Sequence, residues 1–300
     1  MSQVVNRRRP GVTSRLDTAL GWSTARDAWY SKAIRAVLCV LAILVFTGPL
    51  ITVFSGAFDT NRDPTQVSLF PNNPTILNFT EATDKNIWGY LVNSLVIAGG
   101  ALLLQLLVSV FAAYAMARKK FRGQAVMLLL ILTTMMLPEE VIAIPLSLVI
   151  GDLPVVDLNL RGTLAGVILP LGAWGFSIFV MTEFMKEIPV ELEEAATVDG
   201  AGELRIFWQI ILPLCKPALA VIAVFGFNMI WDQYLLPRIV ANDPSDYTLT
   251  VALADLRSDI EVGPGIVLAG ALLALIPSLI VYLSLQKSFL RGITTGAVKG

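Results

Sequence analysis

Apolar residues gather along this chain into six blocks, 36–57, 89–117, 123–150, 163–182, 217–237 and 262–286. Each is long enough to cross a bilayer, since about 20 residues of helix span the hydrocarbon. The first two carry no charge; the third is interrupted by Pro138-Glu139-Glu140 and Pro145, and the fifth contains Asp232. In lipid every backbone polar group must be satisfied within the protein, so blocks of this length predict helices. The pattern predicts an all-α membrane protein with six transmembrane helices. Three parts follow: an N-terminal tail (1–35) with the composition of a disordered tail or an interfacial helix, a six-span domain (36–286), and a C-terminal tail (287–300).

Lysine and arginine set the orientation, because they are retained on the cytoplasmic side. With a cytoplasmic N-terminus, the inside segments hold 17 of the 22 basic residues. Four of these are Arg118, Lys119, Lys120 and Arg122; the outside segments hold Arg62, Lys85, Arg161, Arg238 and Arg257. Both termini are therefore expected in the cytoplasm, along with the polar loop 183–216. The outer loop between the first two blocks contains Asn78-Phe79-Thr80, a glycosylation sequon by pattern, which we read as chance.

Composition narrows the function. The chain is 55% hydrophobic and 15% charged, with a mean hydropathy of +0.71, too apolar for a soluble domain. Its formal net charge of −1 gives no basic field for nucleic acid. There is no histidine, which removes the commonest general base and zinc ligand. Cys39 and Cys215 are isolated and read as packing thiols. The sequence has no phosphate-cradling G-x-x-x-x-G-K-[ST] loop. No catalytic residue, metal site or cofactor of its own is expected, and any ATP-driven step requires another chain.

The loop 183–216 is the longest polar interruption in the second half. Pro189 suits the first position of a helix, and Glu191, Glu193 and Glu194 then fall in its first turns, where the helix dipole favours acids. Asp199-Gly200 supplies a stop, since Gly accepts the left-handed conformation. A second short helix is expected to place Leu204, Phe207 and Ile211 on one face, closed by Pro213 and Pro217.

Polar groups within the blocks take two readings, because a mid-membrane charge costs about 2.5–3.5 kcal/mol on insertion scales. Glu139 and Glu140 either face a cavity at a bent helix or lie near the outer surface. Asn228 and Asp232, four residues apart, share a helix face; with Trp231, Gln233 and Tyr234 they face a translocation path or serve helix packing. Asn93-Ser94 takes the same two readings. Candidate pathway residues are thus Asn93, Glu139, Glu140, Asn228, Trp231, Asp232 and Tyr234. No Lys or Arg lies inside a block, which suits a neutral polyhydroxylated solute better than an anion.

The loop resembles the E-A-A motif of bacterial ATP-binding-cassette importer permeases: E-A-A, three residues, G, nine residues, I, one residue, L-P. It is met at Glu194, Ala195, Ala196, Gly200, Ile210, Leu212 and Pro213. From residue 89 onward the chain is similar to the second permease of carbohydrate importers, the maltose-type G subunit. The similarity is carried by Leu91-Val92-Asn93-Ser94, Ala113-Tyr114-Ala115-Met116-Ala117-Arg118, Ile144-Pro145-Leu146, Tyr234-Leu235-Leu236-Pro237 and the C-terminal run. That family usually carries Asn after the tryptophan, where this chain has Asp232. The resemblance implies a bacterial inner-membrane permease forming half of a pathway for a sugar or related solute. It implies a second, different permease, two ATPase subunits carrying ATP and Mg, and an extracytoplasmic solute-binding protein. Coupling to the ATPase would fall to Glu194, Ala195, Ala196, Asp199, Gly200, Ala201, Ile210, Leu212 and Pro213. The tail Thr294, Thr295, Gly296, Ala297, Val298, Lys299 and Gly300 would touch the ATPase. The rival readings are a proton-coupled secondary transporter using Glu139, Glu140 or Asp232, and an importer permease for a non-sugar solute.

Overall fold

The computed structural model describes residues 29–60, 69–152, 158–259 and 262–297. Most of the N-terminal tail, Arg62 and the last three residues lie outside this set. Among the described residues the regular structure is helical, apart from isolated bridge residues such as the Asp59–Pro74 pair. Helix α1 spans Trp29–Ala57. Of the described residues, those up to Thr52 belong to one unit and those from Val53 onward to a second, which holds everything below.

In the second unit α2 (Leu77–Asp84) leads into α3 (Ile87–Arg118), followed by α4 (Gln124–Thr134), α5 (Glu139–Gly151), α6 (Leu164–Leu171) and α7 (Gly175–Lys186). Next come α8 (Glu191–Val198), α9 (Glu203–Ile206), a wide turn at Phe207–Ile211 and α10 (Leu212–Leu214). Helices α11 (Lys216–Trp231), α12 (Leu235–Val240), α13 (Leu249–Ser258) and α14 (Pro264–Ala297) complete the chain. Four helical segments are long and apolar enough to cross a membrane: Ala33–Ala57, Ile87–Arg118, Leu164–Lys186 and Pro264–Lys287. Two further pairs qualify only as bent elements, α4 with α5 at 106° and α9–α10 with α11 at 66°.

The third block is bent beside Pro138, where its sequence interrupts it, whereas the fifth is broken where the sequence reading had it continuous. Glu139 and Glu140 do not break a helix; they open α5 behind Pro138, in its first turn, where carboxylates oppose the positive helix end. The fifth block stops at Trp231, and α12 restarts at Leu235 after a break at 232–234. The last helix runs past residue 286 to Ala297, so the backbone of the predicted tail is helical as far as Ala297.

Helix α3 is the axis of the unit and packs against α6, α7, α11 and α13. Small residues on it (Ser94, Ala98, Ala101, Ser109, Ala113) are buried, which lets neighbouring backbones come close, as membrane helix packing requires. Two apolar clusters result. One gathers Ile97, Val167, Phe227, Ile230, Trp231 and Leu249; the other gathers Met181, Met185, Phe207, Ile211, Cys215 and Ile222. Asn78 is buried and its Nδ2 donates to the carbonyls of Ala57 at 3.0 Å and Asp59 at 2.8 Å.

Candidate functional site: a pinned helix pair and a cavity at three helix breaks

The loop bearing the E-A-A pattern folds by a local rule. Ala201 donates its N–H to the Ala196 carbonyl at 2.9 Å and Gly200 donates to Thr197 at 3.0 Å. These are the two bonds of a Schellman stop, with the residue between them left-handed. Gly200 has φ +82°, where a Cβ is costly, and no atom lies within 4 Å of where one would stand. Ala196 and Ala201 meet beneath the turn against the second core cluster, joined there by Ile210 and Leu212. Glu194, Ala195, Asp199 and Pro213 are exposed. The pattern residues thus divide into those that shape the turn and those presented outward.

One face prediction is corrected. Leu204 is 76% exposed, whereas Ile206, Phe207 and Ile211 are buried. The wide turn at Phe207–Ile211 closes with Leu212 N–H on the Phe207 carbonyl, five residues back, which adds a residue to the turn. The inward face therefore shifts from Leu204 to Ile206. Phe207 stacks on Phe111 at 5.6 Å and meets the edge of Tyr114 at 4.9 Å. The helix also begins later than Pro189 suggests, with Val190 preceding its first residue, Glu191.

The end of α3 pins this pair. Arg118 Nε lies 2.7 Å from Glu193 Oε1, both side chains largely buried, and Arg118 Nη2 donates to the Ile188 carbonyl at 2.8 Å. Lys119 pairs with Glu203 on α9. The hydrogen bond that the Lys119 ammonium donates to Glu203 holds it above its ordinary range. A raised lysine stabilises below its unfolded value and loses that contribution as pH rises through the folded one, so this tie persists throughout the neutral range.

The second feature is a pair of adjoining cavities of about 270 and 470 Å³ that share Glu139, Met229 and Gln233. Three interruptions of the helices converge there: the α4–α5 bend, the α6–α7 break at Gly172–Trp174, and the α11–α12 break. Of the sequence candidates, Glu139, Glu140, Asp232 and Tyr234 line these spaces. The others sit elsewhere. Asn93 Nδ2 donates to the carbonyls of Ser245 and Tyr247 at 2.9 and 3.1 Å, and Ser94 Oγ accepts from Leu249 N–H at 2.8 Å. Trp231 is buried, stacks on Phe227 at 5.3 Å and donates to the Ala274 carbonyl at 3.2 Å. Asn228 is exposed and lines neither cavity.

Sequence reasoning did not single out Trp174 or Gln105. Trp174 lines the smaller cavity just ahead of α7, where Gly175 lets Thr134 and the Ile131 carbonyl approach. The signal was available in Pro170 and Gly172, which loosen the fourth block. Gln105 is fully buried in α3 and donates to the Leu171 carbonyl at 2.8 Å, satisfying a group at the α6–α7 break. A glutamine inside an uncharged block marks such a partner.

The chain is similar to known proteins. The family described as the binding-protein-dependent transport system inner membrane component matches residues 105–293. The melibiose/raffinose/stachyose import permease protein MelC of Bacillus subtilis is 30% identical, over 90% of this chain and 98% of its own length. The sn-glycerol-3-phosphate transport system permease protein UgpE of Yersinia pestis is 33% identical, over 86% and 94%. The crystal structure of a bacterial ABC transporter involved in the import of the acidic polysaccharide alginate includes a chain similar to this one. It superposes with a TM-score of 0.77 at 26% identity, covering 89% of this chain and 99% of that one. With a pinned helix pair on the E-A-A pattern and a family match over most of its length, the chain belongs to the inner membrane components of binding-protein-dependent transport systems.

Proposed function

We propose that this chain is one of two different permeases in a bacterial ATP-driven importer, forming half of the pathway for a sugar or related polyhydroxylated solute. Four continuous spans and two bent ones make six crossings, with both termini in the cytoplasm, as the 17 of 22 basic residues on that side favour. A solute-binding protein delivers from outside, and two separate subunits bind ATP and Mg. The helix pair α8–α9 docks on one of these subunits, and the tail from Thr294 to Gly300 reaches the same region.

The observation that carries the coupling role is a rigid, pinned helix pair that exposes apolar residues. Val198 is 88% and Leu204 76% exposed, although the pair is short and flanked by acids. Outside the hydrocarbon an exposed apolar surface favours a protein partner. A Schellman stop, an ion pair and aromatic packing around the buried Phe207 hold the pair as one body, so a displacement imposed on it passes to α3, α7 and α11. Sugar specificity rests on relatives such as MelC and on the C-terminal run that this chain shares with the carbohydrate branch.

Purification of the tagged chain from its native membrane in mild detergent tests this. A second permease and an ATP-binding subunit should copurify, with ATP hydrolysis that rises when the binding protein and its solute are added. A lone chain without ATPase activity would refute the proposal and favour a proton-coupled carrier.

A further inference from the structure

The adjoining cavities have a composition that selects by charge. Glu139, Glu140 and Asp232 line them, and among the described residues no Lys or Arg does. Gln233 lines both; it is 7% exposed, and its Nε2 reaches only the Met229 sulfur at 3.7 Å. Its amide oxygen has no hydrogen-bond partner among the described residues. That oxygen is not among the fully enclosed unpaired atoms of the described residues, so it remains reachable from the cavity and free to accept a hydrogen bond there. Trp174, half-buried, and Tyr234, 45% exposed, supply aromatic faces. The backbone is irregular on three sides of the space, and irregular backbone at membrane depth is tolerated where it lines a watered cavity.

We propose that this space is a saccharide subsite of negative potential, which takes neutral or amine-bearing rings and rejects carboxylated or phosphorylated ones; it rests on the importer reading above. Carboxylates and amides accept from vicinal hydroxyls, and an aromatic face stacks on the apolar C–H face of a sugar ring. An ammonium gains from the three carboxylates. An anion meets three like charges at close range and is repelled. The inference sets this chain apart from the anionic solutes named for UgpE and the alginate transporter.

Leu235 lines the larger cavity without contributing charge, so Leu235→Cys reports the local potential directly. Cys39 is exposed and is replaced by serine in this background; Cys215 is fully buried and is left in place. In the assembled complex, with each rate taken relative to that of the same reagent with a small free thiol, a cationic trimethylammonium-ethyl methanethiosulfonate should label the introduced thiol at least about tenfold faster than the anionic sulfonatoethyl reagent, since a charged cleft concentrates counter-ions to that degree. The preference should shrink with Asp232→Asn and vanish with Glu139→Gln, Glu140→Gln and Asp232→Asn together. Millimolar chitobiose and diacetylchitobiose should slow the labelling, and digalacturonate should not.

Equal rates for the two reagents, a preference that survives neutralisation, no protection by any of the three sugars, or protection by digalacturonate would each overturn the subsite. Asp232→Asn alone keeps the test valid if the triple variant does not assemble. ATPase partners are scored in the same preparation. If they are present and active while the labelling result fails, the subsite falls and the importer stands; if they are absent, the importer reading itself has failed.

Discussion

Arg118 Nε and Glu193 Oε1 lie 2.7 Å apart with side chains only 10% and 17% exposed, joining the end of α3 to the first turn of α8. Their N–H and oxygen are not aligned as a hydrogen bond, so the attraction is one of charge. The second Arg118 contact, to the Ile188 carbonyl, fixes the chain entering α8.

Removing one partner should therefore cost more than removing both. Arg118→Met leaves a largely buried carboxylate unpaired and is expected to destabilise by about 3 kcal/mol, in the range for broken buried pairs. Arg118→Met with Glu193→Gln should recover part of that, because the orphan charge is gone. Arg118→Lys should fall between, since an ammonium cannot reach both Glu193 and Ile188 in the guanidinium geometry. Thermal unfolding of the detergent-purified complex measures the order. A double variant less stable than Arg118→Met would contradict the ion-pair account.

At Gly200 the obstacle to a side chain is conformational alone, given φ +82° and open space around the missing Cβ. Gly200→Asn and Gly200→Asp should be mildest, because these residues tolerate the left-handed region. Gly200→Ala should cost about 1 kcal/mol, and Gly200→Val more, as branching makes positive φ an outlier. Transport-coupled ATPase stimulation should decline in that order. Full stimulation in Gly200→Val would mean that the turn is not needed to present α8 and α9.

Much of this was legible in sequence because it depends on local rules. The six apolar blocks, the acids at the start of α8 and the stop at Gly200 follow from burial, dipole and backbone sterics, and each needs only neighbouring residues. The cavity was half legible: Glu139, Glu140, Asp232 and Tyr234 stood out as polar groups in apolar blocks. Asn93 and Trp231 stood out equally, yet they hold the 245–247 carbonyls and the Ala274 carbonyl. Whether an amide or indole points at a cavity or at a neighbouring backbone depends on contacts far away in the chain, which no local pattern encodes. The misplaced Leu204 has a different cause: one extra residue in the turn at Phe207–Ile211 rotates the face, and periodicity assumes a constant pitch.

The cavity predicts separable effects on uptake. Glu139→Gln and Asp232→Asn each keep volume and remove charge, so assembly should survive while uptake rate or its solute preference changes. Asn93→Ala should behave oppositely: it frees the carbonyls of Ser245 and Tyr247 and should lower stability by about 0.5–1.5 kcal/mol per bond lost, with solute preference intact. Transport in proteoliposomes with melting of the same complexes tests both. Unchanged uptake in both carboxylate variants would remove those side chains from the path.

Gln105 and Gly226 give the sharpest packing test. A Cβ on Gly226 would stand 2.3 Å from Gln105 Oε1, and Gln105 cannot swing away cheaply, because its Nε2 holds the Leu171 carbonyl and the side chain is fully buried. Gly226→Ala should thus cost about 1–3 kcal/mol by overpacking. Gln105→Ala should also destabilise, by leaving the Leu171 carbonyl unpaired at the α6–α7 break. The double variant should be less damaged than the sum of the two, since the added methyl then occupies space the glutamine has vacated. Melting of the four complexes yields the coupling directly. Simple additivity would mean that α11 moves aside for the methyl and that this crossing is looser than its geometry implies.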